Sequence, residues 1–294
     1  MDVVIICNGL GNQMSQYAFF LEKKKIDHKT RFIFDKKSWK DHNGYELDSV
    51  FGIEYNESLK NQFLFFLFRV LGMKKYPLIT RPIIGLLNIL GISIVEEARN
   101  YDYDPKLLNS KRGIRFLYGG WHSEKYFHHS RTSILDKFKF QDEEDPIVRT
   151  YLEKIRQTNS VSVHIRRGDY LNSVNFKTFG SVCTKEYFLR AIDKIYELVP
   201  NPHFFVFSND VEWVLSNFEM DNMTIVDCNK GTNSWKDIML ISECKHNINS
   251  NSSFSWWGAW LNKADNNVIV PKYFINQLET KDLYPDQWIR LTDY

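Results

Sequence analysis

Hydrophobic positions along this chain follow two periods. From Val161 onward, short apolar runs alternate with longer segments in which apolar residues recur every three to four positions. The pattern predicts strands at 161–165, 203–208, 223–227, 246–249 and 268–270, and helices at 185–199, 210–218, 234–244 and 252–262. The clearest helix is 185–199, where Phe188, Ala191, Ile192, Ile195 and Val199 share one stripe and Thr184 is placed to cap the N-terminus. Strands and helices alternating at this length imply a parallel sheet with right-handed crossovers. Ligands of such sheets bind beyond the carboxyl ends of the strands. Three polar loops leave those ends, at 166–169, 208–210 and 250–253, and are expected to converge on one site.

The first half is less regular. Val3 to Cys7 reads as a buried strand, Gly9-Leu10-Gly11 as a turn, and Asn12 to Lys25 as a helix whose closing lysines oppose the helix dipole. Arg31–Phe34 and Ile114–Tyr118 read as strands and Ser133–Phe138 as a short helix. From Trp39 to Asn56 the pattern is irregular, with Tyr45, Leu47 and Phe51 turned inward. Residues 59–95 hold two very apolar helices with Lys74-Lys75 between them. They read in two ways, as helices of the N-terminal core, which is preferred, or as a basic, aromatic-rich surface against anionic lipid. Acidic residues before Pro146 mark the start of a helix reaching Gln157. The domain boundary is placed there, giving domains 1–157 and 158–294.

Composition narrows the function. With 294 residues, 43% hydrophobic and 25% charged, the chain can bury a sizeable core, and a net charge of +2 argues against a dedicated nucleic-acid binder. The four cysteines have no metal-site spacing and sit mostly in or beside apolar runs, which suits reduced thiols and a cytoplasmic protein. No signal-peptide pattern and no apolar run of membrane-spanning length is present. Asp102-Tyr103-Asp104 is a carboxylate pair of the kind that holds a metal and a nucleotide sugar. It runs directly into Pro105 and reads better as a loop or helix cap. His128 and His129 are neighbours that point apart, so one metal is not expected to take both.

The most informative stretch is Ser160 to Tyr170. Val161, Val163 and Ile165 alternate with Ser162 and His164, and Arg166-Arg167-Gly168-Asp169 follows. Adjacent arginines on an extended segment point to opposite sides. A guanidinium at a strand's carboxyl end can grip a phosphate bidentately, and an Arg–Asp pair there can equally be structural. This stretch resembles the H-x-R-R-x-D motif of the α-1,2-fucosyltransferases, and more distantly of the α-1,6 enzymes. Three further blocks are similar to that family, in its order: Gly9-Leu10-Gly11-Asn12-Gln13-Met14, Gly120-Trp121-His122-Ser123-Glu124-Lys125-Tyr126-Phe127, and Asn251-Ser252-Ser253-Phe254-Ser255-Trp256-Trp257-Gly258-Ala259-Trp260-Leu261.

The resemblance implies an α/β protein of GT-B architecture, two facing Rossmann-like domains, with the acceptor side mainly in the first and the donor in the second. It implies transfer of L-fucose from GDP-fucose to the 2-hydroxyl of a galactose-terminated oligosaccharide or lipid-linked glycan, with no metal required. Arg166 is expected to carry charge from the departing diphosphate, Arg167 to pair with Asp169 or reach the other face, and His164 to hydrogen-bond the nucleotide. Asp169 is one candidate general base. The donor is assigned to Gly9, Gly11, Asn12, His164, Arg166, Arg167, Ser208, Asp210, Asn251, Ser252, Ser253 and Phe254. Asp210 is expected to accept from guanine or to cap the next helix, and Phe254 to stack on the base or pack in the core. Trp121, His122 and Tyr170 are candidates for the acceptor side. Trp256, Trp257 and Trp260 are assigned to packing. Two departures from the family pattern stand out, Asn209 where an acidic residue is usual and Ser15 where an aromatic is usual. A peripheral contact with the inner membrane face is among the expected partners, and the competing readings are a transferase of the same fold using another GDP-sugar, such as GDP-mannose, or a non-catalytic nucleotide- or sugar-binding relative.

Overall fold

A computed structural model of the chain describes every residue except 37–41, 74–76, 142, 174 and 265. Trp39 and the Lys74-Lys75 pair therefore lie outside the described residues. The chain divides into two compact units, Met1–Lys139 and Phe140–Tyr294.

The first unit runs β1 (Asp2–Ile6), α1 (Leu10–Ile26), β2 (Arg31–Phe34), α2 (Glu46–Phe51), α3 (Leu59–Leu71), α4 (Pro77–Ile89), β3 (Ile92–Glu96), β4 (Ile114–Tyr118) and α5 (Arg131–Lys137). Its four strands pair in parallel in the order β2-β1-β4-β3. The unbroken apolar run Val3–Ile6 is wholly buried, as a central parallel strand requires. Strand β3 is a departure from expectation. Ile92–Val95 continues the apolar run of the helices before it, and such a run carries no period that separates strand from helix. What separates them is Gly91, at φ 75, which ends the helical segment. Gly91 also passes so close to Gly113 that a Cβ on Gly113 would lie 2.0 Å from the Gly91 carbonyl oxygen.

Lys23, Lys24 and Lys25 fall in the last turn of α1 as expected, and Lys23 is in addition wholly buried. Its ammonium pairs with the Asp2 carboxylate and donates to the carbonyls of Leu107 and Leu108 at 3.0 and 2.7 Å. Arg115 grips the same carboxylate bidentately at 2.8 and 2.7 Å. The triad pins α1 to β1 and β4, and removing one member of such a buried set costs about 3–5 kcal/mol.

The second unit runs α6 (Pro146–Gln157), β5 (Asn159–Ile165), α7 (Lys185–Leu198), β6 (Pro202–Ser208), α8 (Val211–Asn217), β7 (Met223–Val226), α9 (Trp235–Glu243), β8 (His246–Ile248), α10 (Ser253–Leu261), β9 (Val268–Pro271) and β10 (Ile289–Leu291). All its strand pairs are parallel, in the order β10-β9-β8-β5-β6-β7. Read from β7, this is the 3-2-1-4-5-6 order of a dinucleotide-binding sheet, with its switch point between β5 and β8. The predicted helix 146–157 is present, capped by Asp145, whose carboxylate accepts from the Ile147 N–H at 3.0 Å. It belongs to this unit, because Val148, Leu152 and Ile155 share a core with Phe205, Phe207, Met239 and Ile241. The division therefore falls before that helix, at 139/140, and not after it at 157/158.

The tryptophans of α10 are core residues, as expected. Trp256, Trp257 and Trp260 are at most 4% exposed and pack on one another, and Trp256 Nε1 donates to the Leu283 carbonyl at 3.0 Å. Tyr284 and Trp288 close over the same cluster, which gives the C-terminal block a packing role.

Candidate active site

The three polar loops do meet at the carboxyl end of the second sheet. Arg166 is the first residue past β5, and its Nε pairs with the Asp169 carboxylate at 2.7 Å. Its guanidinium also lies 5.9 Å from the Tyr170 ring. Arg167 pairs with Asp210 at 3.1 Å and stacks 4.0 Å over Trp213. The pairing with Asp169 expected of Arg167 thus belongs to Arg166. The reason is the tight turn at Gly168–Leu171, which brings Asp169 back under Arg166 and leaves Arg167 on the α8 side.

Asn209 gains a role that the sequence did not suggest. Its amide oxygen accepts from the backbone N–H groups of Arg167 and Gly168, at 2.9 and 3.2 Å. A Cβ on Gly168 would lie 2.6 Å from the Asn209 amide nitrogen, so glycine there leaves room for the clamp. Ser208 reinforces the tie, donating to the Ile165 carbonyl at 3.0 Å and accepting from the Asp210 N–H at 3.0 Å. Asp210 caps α8 by accepting from the Trp213 N–H at 3.2 Å, so its capping role and its arginine pairing coexist. Each of its carboxylate oxygens has a protein partner, and each keeps a further lone pair for a donor.

Across the switch point, His164 shares a 2.8 Å hydrogen bond with Ser250 and stacks on Phe254, ring centroids 5.5 Å apart. Burial first, and the Arg166 charge second, lower its pKa to about 3, so its ring is neutral. Asn251 is 1% exposed and fully engaged within the protein. Its amide donates to the carbonyls of Phe179 and Phe274 at 3.1 and 3.0 Å, and its oxygen accepts from the Cys183 thiol at 3.4 Å. Tyr170 donates its hydroxyl to the Asn251 carbonyl at 3.1 Å. Ser252 caps α10 by accepting from the Phe254 N–H at 3.3 Å, and Ser253 opens the helix. Arg166 and Arg167 stay partly exposed, with side-chain exposures of 33% and 23%, so both guanidiniums remain within reach of solvent.

In the first unit, Gly9 is the N-cap of α1 at φ −75, and Gly11 lies in its first turn. Neither glycine takes the left-handed conformation, which falls to Asn8 at φ 65. Asn12 is partly buried in the same turn. Gln16 ties the ends of β1 and β4, accepting from the Cys7 N–H at 2.8 Å and donating to the Gly119 carbonyl at 2.9 Å.

Trp121 and His122 do not present a surface as expected of acceptor residues. Trp121 is wholly buried, stacked on Phe19 at 4.5 Å. His122 is 3% exposed, and its Nδ1 bonds the Ser15 hydroxyl at 2.9 Å. Burial lowers its pKa to about 4. The serine found where the family usually has an aromatic is therefore the histidine's partner. Tyr170 lies in the second unit and is partly buried.

Glu97, absent from the sequence expectations, is the first residue past β3. One carboxylate oxygen accepts from the N–H groups of Gly120 and Trp121, at 2.7 and 2.9 Å. The other is buried with no hydrogen-bond partner. Burial raises its pKa to about 7, against the lowering effect of the two N–H bonds. The signal available for it was positional, since it leaves the carboxyl end of a parallel strand just as Arg166 does. Asp104 caps a short turn by accepting from the Lys106 N–H at 2.9 Å, and Asp102 takes the Asn100 amide. The cap reading of this carboxylate pair therefore stands. Among the described residues, no group of three or more His, Cys, Asp or Glu side chains is arranged to hold a metal ion. No described helix is long and apolar enough to cross a membrane.

Residues 97–292 match glycosyl transferase family 11. The chain is 31% identical to an α-1,2-colitosyltransferase of Escherichia coli over 99% of both chains. It is 28% identical to galactoside α-(1,2)-fucosyltransferase 1 of Leontopithecus chrysomelas, over 56% of this chain and 49% of that one. The solved fucosyltransferase NodZ from Bradyrhizobium superposes with a TM-score of 0.48 at 12% identity, covering 88% of this chain and 90% of that one.

Proposed function

We propose that this chain, which belongs to glycosyl transferase family 11, moves L-fucose from GDP-fucose to the 2-hydroxyl of a terminal β-linked galactose, inverting the fucose anomeric carbon and using no metal. The observation that carries the proposal is Arg166, partly exposed at the switch point of the second sheet, beside a strand whose following loop opens α10. A guanidinium and the N-terminus of a helix are complementary to a diphosphate.

In this scheme the bond from the fucose anomeric carbon to the β-phosphate oxygen breaks as the acceptor oxygen attacks from the opposite face. Arg166 and the first N–H groups of α10 take up the negative charge that collects on the departing GDP. Asp210 accepts from the N1–H and amino group of guanine, which selects guanine over adenine. Asn209, Ser208 and Asn251 hold the loops in place and need not touch the donor. The acceptor proton leaves with the acceptor oxygen's attack, and Asp169, paired with Arg166, is the nearest carboxylate on this loop to receive it. The relative named galactoside α-(1,2)-fucosyltransferase 1 supports the acceptor, and the proposed product is a surface glycan or oligosaccharide made in the cytoplasm.

A second reading keeps the mechanism and changes the donor. It is favoured by the colitosyltransferase relative, which matches the full chain. Colitose is L-fucose without its 3-hydroxyl, so a donor site for one differs from a site for the other by the groups that meet that hydroxyl. The test is GDP release from GDP-fucose, with and without lactose, in excess EDTA, for wild type and Arg166→Ala. Lactose-stimulated release that survives chelation and collapses in the variant is expected. Release that vanishes with EDTA refutes the metal-free scheme and returns attention to Asp102 and Asp104. GDP-fucose binding without lactose-stimulated release removes lactose as the acceptor, and no GDP-fucose binding turns the donor search to GDP-colitose.

A further inference from the structure

The helical hairpin α3–α4 is apolar on two sides. On its inner side, Leu64, Leu67 and Phe68 join a core with Val3, Ile5, Ile33 and Phe116. On its outer side, Leu59, Phe63 and Phe66 fall at i, i+4 and i+7 along α3, and Ile83, Leu86 and Leu90 at i, i+3 and i+7 along and just past α4. With Met73 and Ile89, these eight side chains are 45–84% exposed. A helix apolar all round is ordinarily enclosed, so an outer face of this kind needs a cover. The core reading holds for the inner side, where Leu87 of α4 also packs, and the outer side is left open.

Charge indicates what the cover is. Residues 58–95 contain Lys60, Arg69, Lys74, Lys75 and Arg81 and no Asp or Glu. Lys60 and Arg69 are exposed and fall on opposite sides of the Leu59-Phe63-Phe66 stripe, whereas Arg81, also exposed, lies on the side of α4 away from Ile83 and Leu86. An apolar stripe flanked by basic residues matches the boundary between anionic headgroups and acyl chains. A second copy of this chain is a poor match, because a two-fold contact through the same face brings the basic residues of both copies together. At 13 residues each, α3 and α4 are about 20 Å long, too short to span a bilayer and suited to lie in its plane.

We infer that the outer faces of α3 and α4 dock on an anionic phospholipid surface, Phe63, Phe66, Leu86 and Leu90 entering the acyl boundary while Lys60 and Arg69 engage headgroups. The inference is independent of which sugar the enzyme transfers. It is tested by flotation of the full chain with phosphatidylglycerol–phosphatidylcholine vesicles and with phosphatidylcholine vesicles alone, at low and high salt. A triple variant, Phe63→Ser/Phe66→Ser/Leu86→Ser, and a double variant, Lys60→Glu/Arg69→Glu, are compared with wild type.

Wild type is expected to float with the anionic vesicles, less at high salt, and the apolar variant to lose most of its binding. Each basic residue removed should weaken partition about fivefold. All five substituted side chains are exposed, so the variants should keep the wild-type melting temperature. If the apolar variant fails to fold, the charge-reversal variant and the wild-type salt dependence decide. Wild type that stays in the non-floating fraction overturns the inference, and so does equal binding to neutral vesicles. A concentration-dependent dimer in sedimentation velocity that the apolar variant disperses also overturns it and assigns the face to a second copy.

Discussion

Glu97 makes the stability of the first unit depend on pH in a direction opposite to that of most carboxylates. Burial raises its pKa from 4.5 to about 7. A raised pKa means that the folded state holds the proton more tightly than the unfolded chain. The resulting stabilisation is complete below the unfolded value, falls as pH rises from about 4.5 through about 7, and is gone above that. Each tenfold in proton affinity is about 1.4 kcal/mol, so the full swing is about 3 kcal/mol, and nearer 2 with some solvent screening. Glu97→Gln removes the ionisation and keeps an oxygen to accept from Gly120 and Trp121. Asp237 in the second unit is also raised to about 7 by burial, so the swing must be taken as a difference between wild type and variant. Urea unfolding at half-unit steps from pH 5 to 8.5 measures it. The variant's advantage, already partly open at pH 5, should widen by about 2 kcal/mol by pH 8.5. Parallel pH curves for the two proteins, within about 0.5 kcal/mol, would refute the placement of this charge among buried backbone.

Two further outcomes test the donor loops. Asn251→Ala strands two buried carbonyls and a thiol and should cost about 3 kcal/mol in thermal or urea unfolding. A loss under 1 kcal/mol would mean that the loop after β8 is held by other contacts. Asp210→Asn keeps a side chain able to cap α8 but loses the carboxylate proposed to read guanine, so GDP affinity measured by calorimetry should fall at least about tenfold with little change in melting temperature. Unchanged GDP affinity would leave Asp210 as a cap and partner of Arg167 only.

Most of the second unit was legible because its strands and helices are short, strongly patterned and punctuated by caps. Thr184 caps α7 as its position suggested, accepting from the Tyr187 N–H at 3.3 Å. The misses have physical causes. Strand β10 is three partly exposed residues, too short to show a period. Strand β3 hides in an apolar run, and with it goes Glu97, whose importance rests on leaving a strand that the pattern did not reveal. Side-chain pairing was the least legible feature. Alternation correctly separates Arg166 from Arg167, but which carboxylate each one meets depends on the turn at 168–171 and on the α8 cap, and neither is a property of the strand. Trp121 and His122 sit in a block shared with the family, and shared residues are as readily explained by packing as by contact with a substrate.

Arg166 already holds an anion, the Asp169 carboxylate, before any ligand arrives. That ion pair uses the Nε edge of the guanidinium and leaves its terminal N–H groups for a second anion. A ligand anion there meets a charge already partly neutralised, so it gains less than it would from a bare arginine. In return the arginine is held in place before the ligand arrives and loses little side-chain freedom on binding. A ligand large enough to engage other parts of the loops at the same time gains most from a donor fixed in this way.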